Sequence, residues 1–256
     1  MKVGRFIKGR PGKKILLVSL QKCGTHLIRN VMKEAGFEDV GVGRPCTMSD
    51  FEGLKSNQYL ISSFTPSDEV QMCLEEGNRQ LYIIFNFRDP RDVLVSWFYW
   101  LHPGNPKSIH LHHAYMKKVY SHFTDEQLMD IFIRVDKFRD AEYNPLERFK
   151  LSRVLYFHPR ILNVRFEDLI GSRGGGTDEK QMKTVADIFA YLEMDGIDTQ
   201  LIAGRVFNKS SVTFRKGTIG DYRNVLSSAQ IKLFNELHGD IIRQYGYEPD
   251  HIDDQI

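Results

Sequence analysis

Between Ile15 and His26 the chain changes character in a way that few folds accommodate. Ile15, Leu16, Leu17, Val18, Ser19 and Leu20 form a nearly unbroken apolar run. Such a run reads as a strand buried on both faces, as in a parallel sheet. Gln21, Lys22, Cys23, Gly24, Thr25 and His26 follow, after which Leu27, Val31, Met32 and Ala35 recur at helical spacing. A strand that enters a helix through small residues turns open backbone N–H groups and the positive end of a helix dipole toward any anion nearby. Lys22 adds a mobile full charge at the same place. The stretch reads as a phosphate cradle with a cation over it, although taken alone a plain strand-to-helix turn with an incidental lysine fits as well.

The nucleotide-triphosphatase loop requires Gly, four residues, then Gly-Lys-Ser/Thr. Here Lys22 precedes the loop glycine, Gly24, and the Gly9 to Lys14 run lies before the strand with the wrong spacing. That run reads as a solvated basic tail of about residues 1–13. A P-loop-type small-molecule kinase is therefore the secondary reading.

The strand–turn–helix pattern returns at Ile83 to Trp97. Pro90 suits a first helical turn and Asp89 before it suits the N-cap. Arg88 falls at the C-terminal tip of the strand, where open α/β sheets bind ligands. Ser96 lies two turns into the helix and faces the same ligand if that helix runs alongside it. The bland alternatives are a surface ion pair of Arg88 with Asp89 or Asp92, and an ordinary helical serine. Later, Arg215-Lys216-Gly217-Thr218-Ile219-Gly220-Asp221-Tyr222 joins adjacent cations to two glycines, which suits either a charged lid that approaches an anion closely or a solvated loop.

Expected strands at about 15–20, 58–64, 81–87 and 161–166 alternate with expected helices at about 26–36, 67–77, 90–101, 125–138, 145–156, 178–192 and 227–245. That alternation predicts an α/β fold with a central parallel β-sheet flanked by helices on both faces. Gly171 to Thr177 reads as a flexible surface loop rather than a linker, with Thr177 or Asp178 capping the following helix. A single domain over residues 1–256 is expected, since α/β folds of this length are often one unit. The segments 41–56 and 102–124 are candidates for an acceptor rim.

Composition narrows the function class. Hydrophobic residues make up 41% of the chain, enough for a core, and the net charge is only +2. Nucleic-acid binding therefore has no support beyond the basic first residues. No apolar run reaches the ~18 residues of a membrane span, and residues 1–14 lack the apolar core of a signal peptide. Three scattered cysteines, Cys23, Cys46 and Cys73, fit reduced thiols in a cytoplasmic protein. His110, His112 and His113 are closely spaced but have no accompanying Cys or carboxylate at ligand spacing, so no metal is expected.

Taken together, the three segments resemble the sulfotransferases that use 3′-phosphoadenosine 5′-phosphosulfate (PAPS), over about residues 13–247. Lys22-Cys23-Gly24-Thr25-His26 is similar to their Lys-Ser-Gly-Thr-Thr loop, and Arg88 to Ser96 to their Arg-x-Pro-x-Asp-x-x-x-Ser motif. Arg215 to Tyr222 is similar to their Arg-Lys-Gly-x-x-Gly-Asp-Trp lid, with Tyr222 in place of the tryptophan. The resemblance implies a P-loop-like sulfotransferase domain of the cytosolic type that moves a sulfuryl group from PAPS to a hydroxyl, less readily an amine, of a small-molecule acceptor. It leaves 3′-phosphoadenosine 5′-phosphate (PAP). By position, Lys22 would contact the 5′-phosphosulfate and its bridging oxygen, while Cys23, Gly24, Thr25 and His26 form the 5′-phosphate cradle. Arg88 and Ser96 would hold the 3′-phosphate, joined by Arg215, Lys216 and Gly217. Phe166, in the Arg165 to Leu169 segment that resembles Arg-Tyr-Glu-Asp-Leu, would occupy the aromatic position near the adenine.

One departure stands out. The cytosolic branch takes the acceptor's proton with a histidine in a Lys-Ser/Thr-His-x-Pro pattern, and the matching position in Ser62-Ser63-Phe64-Thr65-Pro66 is Phe64. Candidate bases are then His112 and His113, with Asp68 and Glu69 as alternatives nearer the expected site. Loss of the base also admits a protein that binds PAPS or PAP without turnover.

Overall fold

The computed structural model describes residues 12–41, 46–62, 68, 70, 72, 74, 81–102, 118, 120–135, 145–207 and 216–250. Five strands, β1 (Lys14–Ser19), β2 (Glu38–Asp39), β3 (Gln58–Ser62), β4 (Leu81–Phe87) and β5 (Ile161–Arg165), form one sheet in the order β2-β3-β1-β4-β5. Every pairing is parallel. β1 lies at the centre, with Leu16 opposite Leu60 on one side and Ile83 on the other. This explains its unbroken apolar sequence: Ile15, Leu16 and Leu17, which alternate between the two faces, are all fully buried. Each such side chain contributes about 1.5–3 kcal/mol relative to exposure. The strands fall close to the sequence expectation except for β2. Its two acidic residues carry no apolar periodicity, and Asp39 is held by Arg29.

The helices are α1 (Thr25–Glu34), α2 (Met48–Gly53), α3 (Pro90–Leu101), α4 (Asp125–Arg134), α5 (Pro145–Leu151), α6 (Arg153–Phe157), α7 (Phe166–Leu169), α8 (Asp178–Tyr191), α9 (Thr199–Val206), α10 (Tyr222–Val225) and α11 (Ser228–Gln244). Asp68, Val70, Met72 and Leu74 are also helical. The expected helix at 145–156 is two helices, broken at Ser152, where ψ is 3°. The short α2, α7, α9 and α10 carry too few turns to show a period, and none was expected from the sequence.

The chain divides into two compact units. The first comprises Met1–Arg88, Leu151–Ser211 and Lys216–Ile219, the second Asp89–Lys150, Val212–Arg215 and Gly220–Ile256. In the first, one core joins Ile15 and Leu17 of β1 to Leu27, Ile28, Val31 and Met32 of α1, Val185, Ile188 and Phe189 of α8, and Ile202 and Val206 of α9. α1 stops where Gly36, at φ +87°, lets its N–H reach the Lys33 carbonyl and the Phe37 N–H reach that of Met32. This is a Schellman closure, and it needs a residue at ease in the left-handed region.

In the second unit, α3, α4 and α11 bury Trp97, Phe98, Phe132 and Phe234. Asp89 caps α3 as expected, accepting from the Arg91 N–H at 2.9 Å, and also pairs with the Arg91 guanidinium at 2.7 Å. Asp92, fully buried, accepts the backbone N–H groups of Gly220 (2.9 Å) and Tyr222 (3.0 Å), and so anchors the end of the expected lid. Tyr222 is itself buried, donates to Asp250 at 2.6 Å and lies between the guanidinium groups of Arg91 and Arg223. Burial and the adjacent Asp250 carboxylate push its hydroxyl well above the ordinary tyrosine range.

Candidate functional site

The first unit holds most of the residues singled out from the sequence. β1 ends at Ser19, and the chain turns through Gln21–Gly24 into α1. Lys22 has φ +65° and Gly24 φ +85°, so two left-handed residues flank Cys23. For a lysine this conformation costs about 1 kcal/mol or more. It folds the loop back tightly enough for the Cys23 N–H to reach the Leu20 carbonyl at 3.2 Å. Gly24 is the N-cap of α1, which has neither a side-chain cap nor an acidic residue in its first turn. The first N–H groups of the helix are therefore presented outward with their dipole uncompensated.

Gly24 is required for a second reason. A Cβ there would lie 2.5 Å from Cδ2 of Phe166. The Phe166 ring is buried and also supports Arg88, whose Cζ lies 4.2 Å from the ring centroid. Arg88, only 4% exposed, donates through Nη2 to the Thr218 carbonyl at 2.6 Å. Loop, strand tip, aromatic floor and lid are thus joined around one guanidinium.

Cys23 is fully buried, with Sγ toward the Gln21 carbonyl. Burial pushes its thiol well above the ordinary range, outweighing the opposing Arg88 charge, while Glu167 adds to the rise. It is a filler of the loop rather than a thiolate. His26 projects from the first turn of α1, and desolvation together with the Arg29 and Lys22 charges lowers its imidazole pKa, which favours the neutral ring.

Lys216 and Gly217 lie in the first unit beside an unexpected support. The Gly171 to Thr177 stretch is at the surface but is closed into a compact turn, with the Gly174 N–H on the Gly171 carbonyl at 3.1 Å and Thr177 capping α8. Gly174 is buried against the lid. A Cβ there would meet Ile170 Cγ1 at 2.1 Å and the Gly217 carbonyl at 2.5 Å, while the Gly174 carbonyl accepts from the Ile219 N–H at 2.9 Å. Gly174→Ala should therefore lower stability by about 1–3 kcal/mol through overpacking, read as a lower denaturant midpoint at unchanged slope. A midpoint equal to wild type would mean that the lid does not seat on this turn.

Ser96, half-buried on α3, belongs to the second unit. Asp68 is exposed on its helical turn. Glu69, His112, His113 and Arg215 lie outside the described residues, as does Phe64. Among the described residues no group of three or more His, Cys, Asp or Glu is placed to hold a metal, and no helix is long and apolar enough to cross a membrane.

Sequence reasoning missed Asn86 and Ser19, which bind the loop from beneath. Asn86 Nδ2 donates to the Cys23 carbonyl at 2.8 Å and to Ser19 Oγ at 3.0 Å, and Ser19 Oγ lies 2.8 Å from Thr25 Oγ1. The legible signal was a polar residue inside each of two apolar strands.

No protein-family model and no curated protein matches the chain. Solved structures do. Mouse sulfotransferase SULT7A1 complexed with PAP is similar at 19% identity and a TM-score of 0.61, over 90% of this chain and 85% of that one. Retinol dehydratase in complex with androsterone and inactive cofactor PAP is similar at 12% identity and a TM-score of 0.61, over 93% and 82% of the two chains. Retinol dehydratase with retinol and PAP is similar at 13% identity and a TM-score of 0.56, over 95% and 84%. The parallel sheet with its β1–loop–α1 turn is the α/β, P-loop-like fold of a sulfotransferase.

Proposed function

We propose that this protein transfers the sulfuryl group of PAPS to the hydroxyl of a small-molecule acceptor and releases PAP. The observation that carries the reading is the convergence on Arg88. Gly24, the uncapped N-cap of α1, packs on the Phe166 ring, and the same ring carries the buried Arg88 guanidinium, which bonds the Thr218 carbonyl of the lid. The fit of a nucleotide bisphosphate rests on the same features: the uncapped backbone N–H groups at Gly24, whose side-chain space the Phe166 ring already fills, together with the Lys22 and Arg88 cations. The similar solved structures contain PAP, and one of them contains androsterone, a hydroxylated small molecule.

In this reading PAPS supplies an activated sulfuryl group on a good leaving phosphate. Gly24, Thr25 and the α1 N-terminus hold the 5′-phosphate, with Cys23 and His26 completing the loop. Lys22 places its ammonium where charge develops on the leaving oxygen. Arg88, Ser96, Arg215, Lys216 and Gly217 hold the 3′-phosphate, and Phe166 is the apolar neighbour of the adenine end. His112 or His113 takes the acceptor's proton, in preference to Asp68 and Glu69, because an imidazole titrates near neutral pH. Cys23 and Cys46 are buried and not in disulfides, which supports a cytoplasmic setting.

Two measurements test this. PAP should raise the melting temperature by mass action while ATP–Mg²⁺ should not, and mass spectrometry should detect a sulfated product from a library of hydroxylated compounds supplied with PAPS. Protection by ATP–Mg²⁺ alone would favour a kinase. PAP protection with no product from any acceptor would favour a binding protein without turnover, the reading that Phe64 supports.

A further inference from the structure

Asn86 sits in β4 directly across from Ser19 of β1, both essentially inaccessible to solvent. Its carboxamide orientation is determined by its neighbours. Nδ2 faces the Cys23 carbonyl at 2.8 Å, and reversing the amide would set two acceptors against each other. The other Nδ2 hydrogen goes to Ser19 Oγ at 3.0 Å. An amide nitrogen only donates, so Ser19 Oγ receives this bond and must place its own proton elsewhere. Among the described residues the other partner of the Ser19 side chain is Thr25 Oγ1, 2.8 Å away. With no other acceptor for it among the described residues, the proton of the buried Ser19 goes to Thr25, and Thr25 accepts. The Thr25 proton is directed away from Ser19, at the first residue of α1, where the uncapped helix N–H groups also emerge.

We infer that Asn86, acting through Ser19, is a positioning residue that orders the Thr25 hydroxyl as a hydrogen-bond donor to an anion seated on the loop. Reversing the chain would turn a lone pair of Thr25 toward that anion instead. The same amide holds the Cys23 carbonyl down, which keeps a second acceptor from facing the ligand. The Asn86 Oδ1 atom is buried without a hydrogen-bond partner among the described residues. A packing asparagine would have no reason to leave it so, since an apolar side chain of the same volume would avoid that desolvation.

The inference rests on the PAPS reading for the identity of the anion, the 5′-phosphate. The test compares PAP with adenosine 3′-phosphate, which lacks that phosphate, by calorimetric titration of the full chain. Asn86→Leu and Ser19→Ala should each weaken PAP binding about three- to tenfold, the worth of one ordered hydrogen bond, and leave adenosine 3′-phosphate unchanged. In a Thr25→Val background neither substitution should weaken PAP further, because the hydroxyl they order is gone. Equal losses for both ligands, or the same loss with and without the Thr25 hydroxyl, would show that Asn86 only supports the fold and would overturn the inference. If Asn86→Leu does not fold, Ser19→Ala and its Thr25→Val double variant decide the matter alone. Failure of the wild-type protein to bind PAP would instead overturn the nucleotide reading, and the assignment of the anion with it.

Discussion

Replacement of Lys22 by methionine should reduce sulfuryl transfer by ~10²–10³-fold, the usual cost of losing one charge-stabilising contact at a developing oxyanion. Methionine keeps the length and flexibility of the side chain and removes only the ammonium. The left-handed backbone at Lys22 is no more strained for methionine than for lysine, so the loop should keep its shape. PAP affinity should fall much less than turnover, because the product no longer carries the charge change that the ammonium is placed to meet. Single-turnover rates alongside PAP titrations separate the two effects. A variant with wild-type turnover would remove Lys22 from the mechanism, and a variant that loses PAP binding in proportion would recast it as a simple anchor.

Arg88→Ala should weaken PAP by about 30- to 1,000-fold, the range for truncating one member of a buried charged pair, and 5′-AMP far less. Only PAP carries the 3′-phosphate. The geometry adds a condition: Arg88 is buried on the Phe166 ring and bonded to the Thr218 carbonyl, so its removal also loosens the lid. Any such loosening acts on both ligands, and the ratio of their dissociation constants isolates the phosphate contact. Arg88→Lys should restore little of it, because an ammonium cannot reach the Thr218 carbonyl and a phosphate with the same fork. Equal losses for PAP and 5′-AMP would assign Arg88 to the fold alone.

Local patterning in the sequence determined a good deal of this protein. The apolar runs at β1, β4 and β5 and the helical periods of α1, α3, α8 and α11 are encoded within each segment, so their limits lie within a few residues of expectation. Asp89 and Thr177 were legible as caps because a cap acts on its own helix. Lys22, Gly24, Arg88 and Lys216 could be singled out together because glycines and cations at helix and strand ends suit an anion.

What joins them was decided by the tertiary structure. That Asn86 lies under the loop depends on the register that sets it opposite Ser19, and register is a property of two strands, not one. That Phe166 bars a side chain at Gly24 and carries Arg88 requires the end of β5 to meet the tips of β1 and β4. Gly174 reads from sequence as part of a flexible loop, yet it is the seat of Gly217 and Ile219 far along the chain. Short-range periodicity records which face of each element is apolar. It holds no record of which distant residue fills the space beside a glycine, because that is settled only when the elements pack.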